Sequence, residues 1–398
     1  MIGGGAAGFF AALAAKEKNP NAEVSIYERS AKLLSKVRIS GGGRCNVTHS
    51  CFEPRLLVLN YPRGQKELLG PFHKFQPQDT IDWFQARGIA LKTEADGRMF
   101  PTTDSSQTVI DCFLGEAKRL GVHICTLTKL ESVERLGERF ELTPKGKDPF
   151  FVDRLILATG SGPSGWEFAK KMGHTIVSAV PSLFTFNIPS FDLVDLAGVS
   201  VECAKLKLEG TKLEQEGPLL ITHWGFSGPA ALKLSAFGAR FLAEKGYSAT
   251  LRIDWMPEAS IDAICELIEA ERKKHPTKPL SALRFSPLPK SLWKALCSRA
   301  GIAHDTVLNS MSKAAIFKLC EVLKSDRYQV KGKTTNKEEF VTCGGVSLPE
   351  IDFKTMESKC SKHLYFCGEI LNIDGVTGGF NFQNAWTTGW IAGRAAAS

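Results

Sequence analysis

The sequence predicts an α/β fold, and three features carry that expectation. Gly3, Gly5 and Gly8 open the chain in the spacing G-x-G-x-x-G. An Ala-rich helical run, Ala11 to Ala15, then leads to a strand, Val24-Ser25-Ile26-Tyr27, which ends at Glu28, twenty residues after Gly8. Apolar strands that stop at small-residue turns recur far downstream, at Leu155 to Gly160 and at His363 to Gly368.

The first unit has a physical reading. Gly3 permits a tight turn out of the first strand, Gly5 leaves the backbone open to a pyrophosphate, and Gly8 lets the helix pack closely on the sheet. The N–H groups of Ala6, Ala7 and Gly8 lie at the positive end of the helix dipole and suit phosphate oxygens. Glu28, followed by Arg29, is placed to accept bonds from both hydroxyls of an adenosine ribose. Only Met1 and Ile2 precede Gly3, where a strand has about five residues, so the expectation is a shortened first strand.

The string Lys36-Val37-Arg38-Ile39-Ser40-Gly41-Gly42-Gly43-Arg44-Cys45-Asn46-Val47-Thr48 follows. Three glycines between two arginines predict an exposed, flexible backbone with cations near it, suited to wrapping a dinucleotide. Lys36, Gly42, Gly43, Arg44 and Cys45 are its cofactor-site candidates. Residues 121–133 alternate as a strand, with Leu130 in an adenine-facing position. Ala158-Thr159-Gly160 ends a buried strand at the carboxyl edge, where open α/β sheets bind ligands.

Near the C-terminus, Gly368 and Glu369 follow another strand, and Glu369 is placed to bond a ribityl chain. Asp374, Gly379, Phe380 and Asn381 lie in the glycine-rich stretch before a closing helix, Ala385 to Ala397. N–H groups at that helix start suit the anionic edge of a reduced flavin, worth about 0.3–1 kcal/mol each when exposed. Turns from both ends of the chain therefore converge on one cofactor, FAD.

These residues resemble a bacterial family of FAD-dependent flavoproteins, aminoacetone-oxidase-like or bile-acid 3-oxo-4-ene reductases of the BaiN type. The resemblance rests on Gly3 to Gly8, ISGGGRCNVT (Ile39 to Thr48), THWGFSGP (Thr222 to Pro229), TCGGV (Thr342 to Val346) and Phe366 to Gln383. It spans nearly the whole chain. It implies FAD held by Gly3, Gly5, Gly8, Glu28, Gly42, Gly43, Leu130, Glu369, Gly379 and Asn381. It also implies a two-dinucleotide-binding (Rossmann-like) FAD domain with an inserted β-barrel-like domain, which itself carries a helical subdomain. The chain departs from the family at Asn372, where Asp is usual, at Phe380, where Tyr is usual, and at Cys343 and Cys367, where small residues are usual.

The expected partition is residues 1–180 and 342–398 for the FAD domain, 181–256 and 326–341 for a β-rich insert, and 257–325 for a helical subdomain. Leu206 to Glu209 alternates as a half-buried strand; Ile261, Ile264, Cys265 and Ile268 fall at helical spacing, as does Ala314 to Leu323. Pro276, Pro279, Pro287 and Pro289 separate the helices. Tyr328 to Val341 returns to strand.

A net charge of +8 over 398 residues suits anionic ligands. The helical insert holds eleven Lys/Arg against seven Asp/Glu. A solvated helix face is favoured there over an RNA-binding patch, because stacking aromatics are not interleaved. The 11 cysteines form no C-x-x-C pair, so no zinc or dithiol motif is expected, and scattered thiols suit a reducing cytoplasm. No apolar run reaches the length of a membrane span, and no signal peptide is evident. Gly225-Phe226-Ser227-Gly228 is not a hydrolase elbow, Arg327 occupies the glycine position of a P-loop, and the eight histidines show no H-x-x-x-H pairing.

The expected activity is that of an FAD-dependent oxidoreductase acting on a small molecule. No second G-x-G-x-x-G follows a strand, so NAD(P)H is expected as a transient reductant over the flavin or not at all, and reduction of a C=C conjugated to a carbonyl is the expected reaction. A flavin amine oxidase using O₂ and an RNA-associated flavoprotein are the alternatives. His223, Ser227 and Cys343 are weak catalytic candidates, and no sequence feature specifies an oligomeric state.

Overall fold

The computed structural model describes residues 1–283, 287–334 and 341–398. The chain divides into two compact units, Met1–Pro181 with Lys337–Ser398, and Ser182–Asn336.

In the first unit the parallel order is His123–Cys125, Ser25–Tyr27, Ile2, Leu155–Leu157 and Leu364–Phe366. Glu357–Ser358 and Ile351–Asp352 extend it antiparallel. Ile2 is the whole of the central rung. Its N–H donates to Ile156 O and its carbonyl accepts from Ala158, both at 2.9 Å. The Gly3 N–H reaches Tyr27 O on the other side. Ile2 thus bridges the two halves of the sheet, Leu157 on one side and Tyr27 on the other.

Helix Ala6–Lys18 leaves the Ile2 rung and helix Phe380–Ala396 leaves the last parallel strand. Both are small-residue helices buried over most of their circumference, and their backbones nearly touch. A Cβ on Gly389 would lie 2.8 Å from Ala7 O, and one on Gly393 would lie 2.1 Å from Ala11 O. Around the pair, Phe10, Trp83, Phe84, Phe113 and Trp386 form an edge-to-face and stacked aromatic core. Inside it, the Gln383 side chain accepts from Thr48 and Thr80 and donates to Thr387. A buried amide is tolerable only when its valences are filled in this way.

Two expected stretches differ in detail. Residues 121–133 form two strands, His123–Cys125 and Leu130–Leu136, because Leu127 turns the chain at φ 52°. The glycine string begins as helix, Ser35 to Ile39, before the backbone breaks at Ser40. Apolar Val37 is buried there and draws that turn onto the core.

The second unit is a seven-stranded antiparallel sheet. Its order is Asp326–Lys331, Ser248–Asp254, Ser200–Leu208, Glu214–Thr222, Gly225–Ser227, Thr185–Asn187 and Lys333–Thr334. The two outer strands are halves of one segment broken at Gly332. That residue donates to Tyr247 O and accepts from Asn187 N, so one segment supplies both outer strands of the sheet. Helices Ile261–Lys274, Lys290–Arg299 and Lys313–Ser325 share one continuous apolar cluster with this sheet, built on Leu206, Leu251, Trp255, Trp293 and Leu319. Residues 335–340 of the expected return strand lie outside the described residues; Val341–Val346 is a strand.

At the edge of the first unit, His174 is held by Ser358 Oγ at 2.7 Å and by Glu350 Oε2 at 3.1 Å. Cys360 lies close enough to make a three-donor group, a cluster with no signature in sequence spacing. Ser358 Oγ also accepts from the Cys360 and Ser361 N–H groups, so both ring nitrogens and the serine belong to a closed polar network.

Two outcomes follow from this packing. Gly393→Val drives a side chain into the backbone of the neighbouring helix and is expected to cost about 3 kcal/mol or more in denaturant unfolding. Burial holds the His174 imidazole below its ordinary 6.5, against the pull of Glu350. The unfolded chain therefore takes up that proton first, and stability falls as pH drops below 6.5. Burial acts to raise the Glu350 carboxyl, but hydrogen bonds from Thr175 and His174 outweigh it and hold it below 4.5. Its contribution is lost only at lower pH. Thermal unfolding of the wild type and His174→Gln between pH 7 and 5 checks this: the wild type loses more.

Candidate functional site

The carboxyl ends of the parallel strands gather the predicted residues of the first unit. Gly3 sits at φ +112°, and a Cβ there would lie 2.4 Å from Ala158 O. A Cβ on Gly8 would lie 2.0 Å from Gly3 O, whereas one on Gly5 meets no atom within 4 Å. Gly3 and Gly8 are therefore glycines for packing, and Gly5 faces open space. The helix that follows has no side-chain cap and no acid in its first turn, which leaves the Ala6, Ala7 and Gly8 end electropositive.

Glu28 stands beside this turn. One carboxylate oxygen accepts from Gly4 N and the other from Ser30 N, both at 2.9 Å. Glu28 and Arg29 line a cleft with Gly3, Leu130, Thr159 and Phe168. Leu130 is buried and supplies an apolar wall.

Gly41, Gly42 and Gly43 take successive left-handed conformations, φ 58°, 68° and 85°. No atom lies within 4 Å of a Cβ placed on Gly42 or Gly43, so this bend also has one open side. Lys36, on the preceding helical turn, reaches Glu369 at 2.5 Å. The other Glu369 oxygen accepts from Thr342 N at 3.2 Å. Gly368 needs its φ of +75° and its missing side chain, because a Cβ would meet Ala7 Cβ at 2.7 Å.

The closing helix begins at Gly379, φ +90°, where a Cβ would lie 2.6 Å from Thr48 O. Its first turn carries neither a side-chain cap nor an acid. Asn381 shapes the turn by accepting from Gly375 N and donating to Gly375 O. Phe380 stacks on His49 at 4.7 Å, and its carbonyl accepts from Tyr61.

Several predicted side chains are already committed inside the protein. Asp374 is fully buried beneath a two-pronged ion pair with Arg63. Arg44 lies over Phe100 at 4.0 Å and pairs with Glu94 at 2.6 Å. Cys45 is buried in the apolar core, and burial pushes its thiol up to about 12. A buried carboxylate must be paired and a thiol on a core-facing turn packs as a small apolar group; neither fact is visible in spacing. Cys343 is buried on strand Val341–Val346 of the first unit. His223 and Ser227 lie in the second unit, where His223 is exposed and Ser227 accepts from Thr185 at 3.0 Å.

The residues present fit a flavin dinucleotide. Thr159 Oγ1, Thr342 Oγ1, Asn372 Oδ1 and Asn384 Oδ1 are buried polar atoms without a partner in the chain, and such atoms call for a ligand or water. They belong to the strand-end turn, the TCGGV strand, the segment after Glu369 and the closing helix. Sequence reading named only Thr159 among them as a site residue, because a lone hydroxyl or amide has no spacing signature.

Over residues 1–395 the chain matches the family model described as HI0933-like protein Rossmann domain. The chain belongs to this family. It is an FAD-dependent oxidoreductase. A 3-dehydro-bile acid delta(4,6)-reductase of Clostridium scindens is 29% identical over 407 residues, 100% of this chain and 98% of that protein. A ribosomal RNA dihydrouridine synthase of Escherichia coli K12 is 29% identical over 405 residues, 99% and 96%. Among solved structures, a 3-ketosteroid-delta4-(5alpha)-dehydrogenase from Rhodococcus jostii shares the fold with a TM-score of 0.53 and 14% identity, covering 100% of this chain and 96% of its own. No described helix of this HI0933-like chain is long and apolar enough to cross a membrane.

Two contrasts test the glycine turn. Gly5→Val is expected to leave unfolding within about 0.5 kcal/mol while the purified protein loses its flavin absorbance. Gly8→Val, aimed into a backbone carbonyl, is expected to abolish soluble folded protein. Arg63→Met removes the guanidinium paired with the buried Asp374 carboxylate, with an expected loss of about 3–5 kcal/mol in denaturant unfolding.

Proposed function

We propose that this chain reduces a C=C bond conjugated to a carbonyl, with NAD(P)H as the source of electrons and a small unsaturated ring ketone as substrate. The observation that carries the reading is the pairing of two uncapped, acid-free helix starts, at Ala6 and Phe380, with glycine turns open on one side. Bound FAD supplies the capacity to take up a hydride and pass it on.

The chain's own residues hold and tune that group. The N–H groups of Ala6, Ala7 and Gly8 take the pyrophosphate, and Glu28 takes the ribose hydroxyls. Gly42 and Gly43 give backbone room, Lys36 and Glu369 face the ribityl side, and Thr159 and Gly160 close the strand-end turn. The first turn of the closing helix presents N–H groups of Phe380 and Asn381 to negative charge, which is worth about 0.3–1 kcal/mol per contact and up to about 2 when partly buried. That bias favours a reduced, anionic ring system and so favours accepting electrons from a nicotinamide.

The relatives' names support the bond class. Reduction of an unsaturated 3-oxo bile acid and formation of dihydrouridine both saturate a C=C conjugated with a carbonyl. A second reading, uridine within RNA, is favoured by the full-length similarity to the dihydrouridine synthase.

The test is anaerobic titration of the yellow protein with NADH and NADPH, followed by a 3-oxo-4-ene steroid or by a uridine-rich ribosomal RNA fragment. Bleaching by nicotinamide and recolouring by the steroid, faster than by air, is the expected result. Recolouring only by RNA moves the assignment to the second reading. Protein that stays colourless after incubation with FAD, or bleaches only with an amine and recolours rapidly in O₂, removes the reductase reading.

A further inference from the structure

The second unit holds a feature that the flavin chemistry does not use. Helix Ile261–Lys274 and helix Lys313–Ser325 are the first and last helices between strand Ser248–Asp254 and strand Asp326–Lys331. Ile264 and Ile268 of the first, and Ile316, Leu319 and Leu323 of the last, face one apolar cluster. At the seam between them, Cys265 Sγ lies 3.3 Å from Cys320 Sγ. Both thiols are reduced in the structure.

We infer that Cys265 and Cys320 form a reversible oxidation site, closed to a disulfide by hydrogen peroxide. A disulfide needs an S–S separation of about 2.05 Å, so the sulfurs have about 1.3 Å to travel, a shift within side-chain rotation and slight helix sliding. The two positions differ in reach. Cys265 is half-exposed and Cys320 is buried, and burial, with the neighbouring Cys265, pushes the Cys320 thiol up to about 12. Peroxide reaches the half-exposed Cys265 sulfur before the buried Cys320 sulfur, so the first attack is made from Cys265.

The chemistry balances in two steps. The Cys265 thiolate attacks one peroxide oxygen, the O–O bond breaks, and the other oxygen leaves as water after protonation, giving a sulfenic acid. The Cys320 sulfur then attacks the Cys265 sulfur, the S–O bond breaks, and a second water leaves with the thiol proton. Two thiols are oxidised by two electrons and one peroxide is reduced to two waters. The new bond ties the first and last helices of the excursion, 55 residues apart, and limits how far that excursion opens.

The experiment treats the intact chain with peroxide, blocks free thiols, unfolds the protein and counts what was lost. Two of the 11 thiols are expected to disappear, with a Cys265–Cys320 linked peptide in a non-reducing digest that dithiothreitol dissolves. Cleavage by a protease between residues 275 and 312 is expected to slow after oxidation and to return to its starting rate on reduction. Cys265→Ser is expected to keep both effects from appearing, while Cys360→Ser, an exposed thiol elsewhere, keeps them. Loss of no thiols, over-oxidation of Cys265 without a cross-link, or a cross-link through Cys297 of the same cluster overturns the inference. Since wild-type mapping alone decides it, the result stands even where the serine variant fails to fold.

Discussion

Helix Ala6–Lys18 meets its neighbours backbone to backbone at several glycines, and the first unit is arranged around that closeness. Gly8 brings its start against the Gly3 carbonyl, Gly368 admits Ala7, and Gly389 and Gly393 bring the closing helix onto its backbone. Each of these positions would drive a Cβ to 2.0–2.8 Å of a backbone oxygen or a methyl group. Close-packed interiors do not yield to overlaps of that size. The head and the tail of the chain are therefore locked together before any ligand is considered, and the starts of both helices are delivered to the same edge of the sheet.

That lock separates two kinds of glycine within a single motif. Gly3 and Gly8 are glycines because protein atoms fill the space, Gly42 and Gly43 are held at left-handed φ with open space beside them, and Gly5 has open space alone. Emptiness beside a backbone, together with four buried polar atoms lacking partners, is how a binding site shows itself without its ligand. The helix ends add a directional field to the same edge. Neither the field nor the vacant space would suffice alone, since uncapped helix starts are common and surface glycines more so.

Much of this arrangement was legible in sequence because it is local. The G-x-G-x-x-G spacing, Glu28, the Ala-Thr-Gly turn and the glycine pair before the closing helix each declare a backbone constraint within a few residues. What stayed hidden depends on residues far apart in the chain. Asp374 reads as a polar loop residue until Arg63 is found beside it, 311 positions away. Arg44 reads as a free cation until Phe100 and Glu94 enclose it. The helices Pro77–Gln85, Ser106–Arg119 and Lys290–Arg299 went unread, since their apolar faces make sense only against the aromatic core or the sheet they cover. The extended strand expected over residues 121–133 failed at Leu127, a turn that an aliphatic residue does not advertise.

The second unit follows a different economy of contacts. One segment interrupted at Gly332 supplies both outer strands of its sheet, and its helices have no core apart from the one they share with the sheet. A helical excursion held by a shared core can loosen only by exposing part of that core, which makes it a cooperative element and not a free arm. The cysteines sit at the contact between the excursion's first and last helices. A covalent tie there acts on the open state more than on the closed one, because the closed state already holds the sulfurs within a short step of bonding.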